Sequence, residues 1–293
     1  EIPTDEPHNI DQIYQWVLSM VGRNHTKLNT DNLKDNIREI LKSESRAVRE
    51  INHWVSEMTG GKIKRVLSGN LDDVMVLLLS VIYVKGEWEV PFDESETEEA
   101  NFTTADGESI IVEMMYKYAP INTSLSVPLN SQVVSLGYKT SSLYFVIILP
   151  RTDMGQTMEN LISSLTSDRV KESVHNTYRS QVLLGFPKFA VEEEIDLIPV
   201  LEDLGVTDAV SSSANLHGFT NLSIYVDKAL QRVVLEVDEK GTEAAAATVI
   251  QTVGYSGSGS PLTLIVDRPF IYILYDKDSD MPLFMGVMNN PSQ

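Results

Sequence analysis

Cysteine is absent from all 293 residues. That excludes disulfides, thiolate metal sites and a cysteine nucleophile. It does not fix the compartment, because a chain of this length can bury enough core to do without cross-links. No apolar run is long enough to span a bilayer, which takes about 20 residues. The longest, VMVLLLSVIYV, runs from Val74 to Val84. Positive charge is scarce: 23 Lys and Arg stand against 42 Asp and Glu, a net of −19. A surface of that sign repels nucleic acid and anionic lipid, and Lys and Arg gather in no run. Nucleic acid, membranes and heparin-like polyanions are therefore not expected as partners.

Catalytic spacing is missing as well. Gly254-Tyr255-Ser256-Gly257-Ser258 lacks the last glycine of a Gly-x-Ser-x-Gly elbow. His8, His25, His53, His175 and His217 stand apart, without metal-ligand spacing. TGGK at Thr59–Lys62 lacks the flanking residues of a phosphate loop. DKDSD, Asp276 to Asp280, lacks the glycine and final glutamate of a calcium loop and predicts a hairpin turn. The acidic triplet Glu192–Glu194 predicts a solvated loop or a helix start. No enzyme, metal or cofactor is expected.

What the chain does have is patterned hydrophobicity, 42% of its residues. Ile10, Ile13, Trp16, Val17 and Met20 fall at helical spacing over residues 9–22, and Leu33, Ile37, Ile40 and Leu41 do so over 30–42. A third helix places Val48, Ile51, Val55 and Met58 on one side and stops at Gly60-Gly61. The period then shortens. Val74–Val84 predicts a strand buried on both faces. Further strands are predicted over 142–150, 181–191, 230–237, 262–276 and 282–289. Two short helices are expected between them, around Met158–Leu165 and Ile195–Leu204, the second ending near Gly205. Helices first and strands later predict an α+β protein with a mostly antiparallel sheet system.

One stretch fits no core element. EVDEKGTEAAAATVIQTVGYSGSGS follows a strong strand, Val233–Val237, with Gly241, four alanines and then a Gly/Ser tract. One reading is a helix of alanines before a linker, since alanine is the best helix former. The other is an extended bait. Ala and Thr anchor a core poorly but could slide between two strands without a clash. Tyr255 is a single large side chain among small, accessible ones.

The surroundings favour the second reading, because the chain here resembles the serpins, serine-protease inhibitors that act by loop insertion. INHWVSEMTGGKIKRVL (51–67) is similar to the family's Ile-Asn-x-Trp-Val…Thr-x-Gly-Lys-Ile segment. LLLSVIYVKGEWEVPFD (77–93) is similar to its strand ending in Tyr-Phe-Lys-Gly-x-Trp. VEMMY, VIILPRT, PKFAVEEEIDLIPVLEDLGVTDAV, SANLHGFT, VDEKGTEAAAAT, VDRPFIYILYD and PLFMGVMNNP follow in the family's order, so the resemblance covers residues 51–293. It implies one serpin domain over 1–293, with a helical part over 1–68 and a reactive-centre loop at about 239–261.

The family's mechanism is implied with it. A protease acylates itself on the bait, and the freed hinge enters the main sheet as a new strand. The resemblance puts the hinge at Glu239, Gly241, Thr242, Glu243, Ala244, Ala245, Ala246, Ala247 and Thr248. The sheet opens between the strands at Val74–Val84 and Leu230–Val237, near Trp88 and Gln231. Thr242, Ala244, Ala246 and Thr248 would face the core, and all are small. Counting from Glu239 puts the scissile bond at Tyr255–Ser256, with Val253 or Ser258 as alternatives. Tyr255 implies chymotrypsin-like targets first, elastases second. The other reading is a non-inhibitory serpin, a carrier or chaperone. A monomer is expected.

Two departures stand out. The family has a longer N-terminal half, with a Ser-Pro element, before the INHWV segment; here fifty residues precede Ile51 and hold no Ser-Pro. The family often has His where Gln231 stands. Four sequons, at Asn24, Asn101, Asn122 and Asn221, are acceptors only in the secretory pathway. They predict a secreted glycoprotein, with a cytoplasmic protein as the alternative.

Overall fold

A computed structural model describes residues 44–292, apart from 68–70, 72–73, 85, 140, 219 and 243–261. The helices predicted over 9–22 and 30–42 lie outside the described residues. In chain order the elements begin with α1 (Glu44–Met58), β1 (Leu77–Val84), β2 (Gly86–Glu87), β3 (Thr97–Thr103), β4 (Ser109–Ser126), β5 (Ser131–Gly137) and β6 (Leu143–Pro150). They continue with α2 (Met158–Ser164), α3 (Ser167–His175), β7 (Tyr178–Pro187), β8 (Phe189–Asp196), α4 (Ile198–Asp203) and β9 (Lys228–Val237). The last are β10 (Gly241–Thr242), β11 (Leu262–Ile265), β12 (Phe270–Asp276) and β13 (Met281–Met288). The chain divides into two compact units, Glu1–Tyr83 with Glu192–Val234, and Val84–Val191 with Leu235–Gln293.

In the first unit α1 stops at the predicted glycines. Gly60 and Gly61 take φ of 61° and 82°, a left-handed turn that costs glycine no Cβ clash. Thr59 secures the end: its Oγ1 donates to Val55 O at 2.9 Å and accepts from Ile63 N–H at 3.0 Å. Val55 is buried, and Val48 and Ile51 pack against a cluster of Ile63, Val66, Leu67 and Val234. Met58, predicted on the same side, is 46% exposed, so the apolar stripe ends a turn early.

Asn52 ties α1 to the segment after it. Its Oδ1 accepts from Val66 N–H at 2.7 Å and Leu67 N–H at 2.9 Å, and its Nδ2 donates to Leu67 O at 3.0 Å. Val66 and Leu67 are buried, so nothing replaces those bonds when the amide is removed. Asn52→Ala is expected to cost about 2–4 kcal/mol, the penalty for stranding buried backbone groups. A thermal scan of parent and variant checks this; a midpoint lowered by less than a degree would contradict it.

β1 is not buried on both faces as predicted. Leu77, Leu79, Val81 and Tyr83 pack on the α1 cluster, whereas Leu78 is 39% exposed. Alternation along a strand sends Leu78 and Ser80 to the other face. Among the described residues β1, β9 and β8 form a three-stranded sheet in that order. Glu192–Glu194 belong to β8, so the expected loop or helix start is strand. The reason is Arg232 on β9, which meets Glu192 at 2.5 Å and Glu194 at 3.3 Å. One guanidinium thus serves two carboxylates on the same face.

The second unit is built on an eight-stranded sheet, ordered β11-β7-β4-β5-β6-β12-β13 with β3 on β4. Its ladders are antiparallel except for β11 on β7. Two predicted strands prove to be pairs. The run 181–191 breaks at Lys188, whose N–H turns to Glu113 O at 2.9 Å. The run 262–276 breaks before Pro269, which has no N–H to give a ladder; Arg268 there donates to Pro150 O at 3.0 and 3.1 Å. β3, β4, β5 and α3 had no counterpart in the sequence reading.

The two faces of this sheet bury different side chains. On one, Leu161 of α2 and Val170 and Val174 of α3 pack on Val133, Val146, Ile148, Ile271 and Ile273. On the other, Phe145 stacks on Tyr272 at 5.9 Å, and Phe186, Phe189 and Phe270 meet one another at 5.8–5.9 Å. Each fully buried ring contributes about 2–3 kcal/mol. This aromatic layer meets the next region where Phe145 packs edge-on against Trp88 at 5.8 Å.

Candidate functional site

β9 ends at Val237, and the next four residues make the base of the predicted loop. Asp238 builds a turn. Its N–H donates to Gly241 O at 2.9 Å, and its Oδ1 accepts from Lys240 N–H at 2.8 Å and Gly241 N–H at 3.1 Å. β10 then runs antiparallel to β2, with Gly241 opposite Glu87 and Thr242 opposite Gly86. Two glycines allow so close an approach. Gly241 has φ of 142°, and a Cβ there would lie 2.1 Å from Gly86 O. A Cβ on Gly86 would lie 2.5 Å from Tyr138 Cδ1.

Trp88 holds the turn from below its backbone. The indole is 2% exposed and stacks on Tyr138 at 4.8 Å, with Phe145 edge-on at 5.8 Å. Its Nε1–H donates to Asp238 O at 2.9 Å. Its backbone N–H donates to Lys240 O at 3.0 Å, and Phe92 N–H donates to Glu239 O at 2.8 Å. Three successive carbonyls, of residues 238, 239 and 240, are therefore satisfied by one short segment. Buried backbone acceptors need such partners.

Glu239 is the charged member of the base. It is 7% exposed. Its Oε1 accepts from Thr97 Oγ1–H at 2.8 Å and lies 3.2 Å from Lys188 Nζ. Lys188 also reaches Glu113 Oε1 at 3.4 Å. Burial alone would raise the Glu239 pKa, but hydrogen bonds from its own N–H, Thr97 and Lys188 outweigh it and hold the carboxyl below the usual range. Burial likewise opposes the charge on Lys188, and Glu239 and Glu113 together raise it above the ordinary lysine value. Lys240 Nζ pairs with Glu94 at 3.0 Å at the rim.

Together these bonds fix the base of a segment: three carbonyls, a buried carboxylate and a close glycine approach set the course of residues 238–242. The family model for serpins, described as serine protease inhibitors, matches residues 25–291. The chain belongs to the serpin family. It is 33% identical over 248 residues to an alpha-1-antitrypsin homolog of Cyprinus carpio, covering 84% of this chain and 65% of that protein. It is 34% identical over 257 residues to Iripin-8 of Ixodes ricinus, covering 86% and 63%. Among solved structures it is similar to Manduca sexta serine protease inhibitor (serpin)-12, with TM-score 0.73 and 28% identity over 85% of this chain and 66% of that one. It is also similar to human thyroxine-binding globulin, with TM-score 0.76 and 26% identity over 85% and 65%. The chain thus spans about two thirds of the length of these relatives, and its α+β architecture is the serpin fold.

Of the predicted serpin hinge, Glu239, Gly241 and the backbone of Thr242 fall at this base. Glu243, Ala244–Ala247, Thr248, Tyr255 and Ser256 lie outside the described residues. Gln231 is half-buried on β9 in the first unit, and Trp88 belongs to the second. β1 and β9, the strands that the resemblance expects to part around an entering loop, are direct neighbours. Asn101 on β3 and Asn221 are exposed, Asn122 is half-buried in mid-strand on β4, and Asn24 lies outside the described residues. No helix among the described residues is long and apolar enough to cross a membrane.

Sequence reasoning missed Thr97, Lys188, Tyr138 and Gly86. One signal was available: Lys188 is the single charge between LLGFP and FAV, and a lysine inside an apolar run implies a buried partner.

Proposed function

We propose that this serpin inhibits a serine protease by covalent trapping and loop insertion. The observation that carries the reading is a hinge whose alternate positions, Thr242, Ala244, Ala246 and Thr248, are all small, leaving a base clamped by Trp88 and Glu239. The attacking serine forms an ester with the Tyr255 carbonyl, the bond to Ser256 breaks, and its amine leaves with the proton. The hinge then enters between β1 and β9, and small side chains at every second position let the sheet close over them. Trp88 and Glu239 fix the point from which the new strand propagates.

Tyr255 directs this to chymotrypsin-like enzymes, whose deep apolar pockets reward an aromatic ring. Val253 offers a second bond to elastases. We read the protein as monomeric and secreted, with Asn101 and Asn221 the accessible glycan acceptors. The similarity to a thyroxine-binding globulin favours a carrier as the second reading. Incubation with chymotrypsin separates them: an SDS-stable adduct means trapping, and clean cleavage without adduct means a substrate or carrier. Tyr255→Arg is expected to move inhibition from chymotrypsin to trypsin by about 100-fold or more in association rate, about 3 kcal/mol of pocket energy. Mass spectrometry of the released peptide checks the bond, and a cut elsewhere than after residue 255 moves the register.

A further inference from the structure

The aromatic face of the eight-stranded sheet ends in a groove. Its inner rows are filled by Phe145, Phe186, Phe270 and Tyr272, all buried. Past them a half-open space of about 530 Å³ is lined by Leu125, Gln132, Tyr178, Leu262, Arg151 and Arg268, with exposed Asp153 in the same wall. That volume falls in the range of small-molecule sites, roughly 300–1,000 Å³.

Register puts these six side chains on one face. Thr123 lies opposite Tyr178 on β7, and Leu125, two residues on, lies opposite Gln132 on β5. Gln132 in turn lies opposite Leu149 on β6. Arg151 is two residues beyond Leu149, and its N–H still donates to Asn130 O at 3.2 Å. Leu262 lies opposite Val182, four residues along β7 from Tyr178. Arg268 stands two residues before Phe270, and its Nε and Nη2 hold Pro150 O. Opposite residues share a face, and so do alternate ones along a strand. Phe145 and Phe186 fall in the same alternation, four residues from Leu149 and eight from Tyr178.

The groove is apolar at one end and cationic at the other. Leu125, Tyr178 and Leu262 are exposed, and large apolar side chains gathered in one concavity mark a binding surface. In the strand order β7-β4-β5-β6, Tyr178 and Arg151 are three strand spacings apart, about 14 Å. At the far end Arg268 is pinned, with Nη1 donating to Asp267 Oδ1 at 2.9 Å. Arg151 is not. Its Nη2 donates to Asp153 Oδ2 at 3.1 Å, and its guanidinium makes no other hydrogen bond among the described residues. Exposed ion pairs of that kind are weak, so the Arg151 fork can exchange Asp153 for the carboxylate of a ligand. Arg268 beside it adds a second positive charge against the one acid of the wall.

We propose that this groove binds an apolar monocarboxylate, its acid group on Arg151 beside Arg268 and its tail over Leu125, Tyr178 and Leu262. The separation of the two ends sets the ligand at about 10–14 Å long, a medium-chain acid. The site is independent of the inhibitory reading, because none of its residues belongs to the predicted loop.

Calorimetry of the intact protein with octanoate, octanol and acetate at matched ionic strength tests it. Octanoate is expected to saturate one site. Octanol, the same tail without the charge, should bind at least about tenfold more weakly, and acetate, the charge without the tail, should not saturate over the same range. Arg151→Gln should weaken octanoate about tenfold and leave octanol unchanged. Asp153→Asn, which frees the Arg151 fork, should tighten octanoate about two- to threefold. Tyr178→Ser, at the other end, should weaken octanoate and octanol alike. Octanol or acetate binding as tightly as octanoate, no saturation with octanoate, or undiminished octanoate affinity in Arg151→Gln overturns the site.

Discussion

Glu239→Lys is expected to lower the thermal midpoint of the intact protein by about 5–15 °C, from a loss of about 3–5 kcal/mol typical of a broken buried pair. The wild-type carboxylate is nearly covered, with Thr97 at 2.8 Å and Lys188 at 3.2 Å. A lysine there meets the Lys188 ammonium, strands the Thr97 hydroxyl, and leaves Glu113 as the remaining partner of Lys188. The damage falls on the turn whose carbonyls Trp88 and Phe92 hold. Glu239→Gln separates charge from shape. It keeps an acceptor for Thr97 and is expected to cost roughly half as much.

The pH dependence of that pair has a definite sign. Glu239 has its pKa lowered on folding, so its stabilisation is full above the ordinary carboxylate range and is lost as pH falls through the folded value. Lys188 has its pKa raised, so its share is full below the ordinary lysine value and is lost as pH rises through the folded one. Midpoints scanned over pH should therefore fall at both ends. Glu239→Gln should flatten the acid limb, and a variant whose acid limb matches the parent would refute the coupling.

How much of this was legible beforehand differs from element to element. Helix α1, its glycine stop, β6, β9, β13 and the turn at Asp276–Asp280 follow from period and punctuation, which are local. β4 was missed because its eighteen residues change partners midway. Their pattern mixes Lys117, Pro120 and Asn122 into the strand, and no single period survives. The break at Lys188 was missed for a different reason: the stop is tertiary, set by Glu113 and Glu239. Glu192–Glu194 are exposed, as an acidic run suggests, but the run reads as a loop or helix start and not as strand because Arg232 is forty residues away from Glu192 in sequence. The base of the loop was half legible. Glu239, Gly241 and Trp88 stand in a resemblance that the sequence itself carries, but the partners that give Glu239 its charge state come from β3 and from the end of β7, and no spacing rule connects them.

Thr242→Arg is expected to convert the proposed inhibitor into a substrate. Thr242 is the last described residue of the predicted hinge, in β10 opposite Gly86. On the insertion mechanism its side chain is the first on the inward face of the entering strand, followed by Ala244, Ala246 and Thr248. Trapping depends on a race between insertion and hydrolysis of the acyl bond. A guanidinium drawn unpaired into a closing sheet costs several kcal/mol, and each 1.4 kcal/mol slows a step about tenfold. Even about 3 kcal/mol in the insertion barrier shifts the race by roughly 100-fold toward release. The number of inhibitor molecules consumed per chymotrypsin blocked should then rise from near one to far above about ten. Cleavage itself should be unimpaired, because Tyr255 is untouched. Heat gives an independent reading. Cutting the loop of the parent should raise its midpoint sharply as the hinge joins the sheet and stored strain is released, and the cut arginine variant should gain much less. If Thr242→Arg inhibits as well as the parent and gains as much on cutting, residue 242 does not enter a sheet, and loop insertion is not how this chain acts.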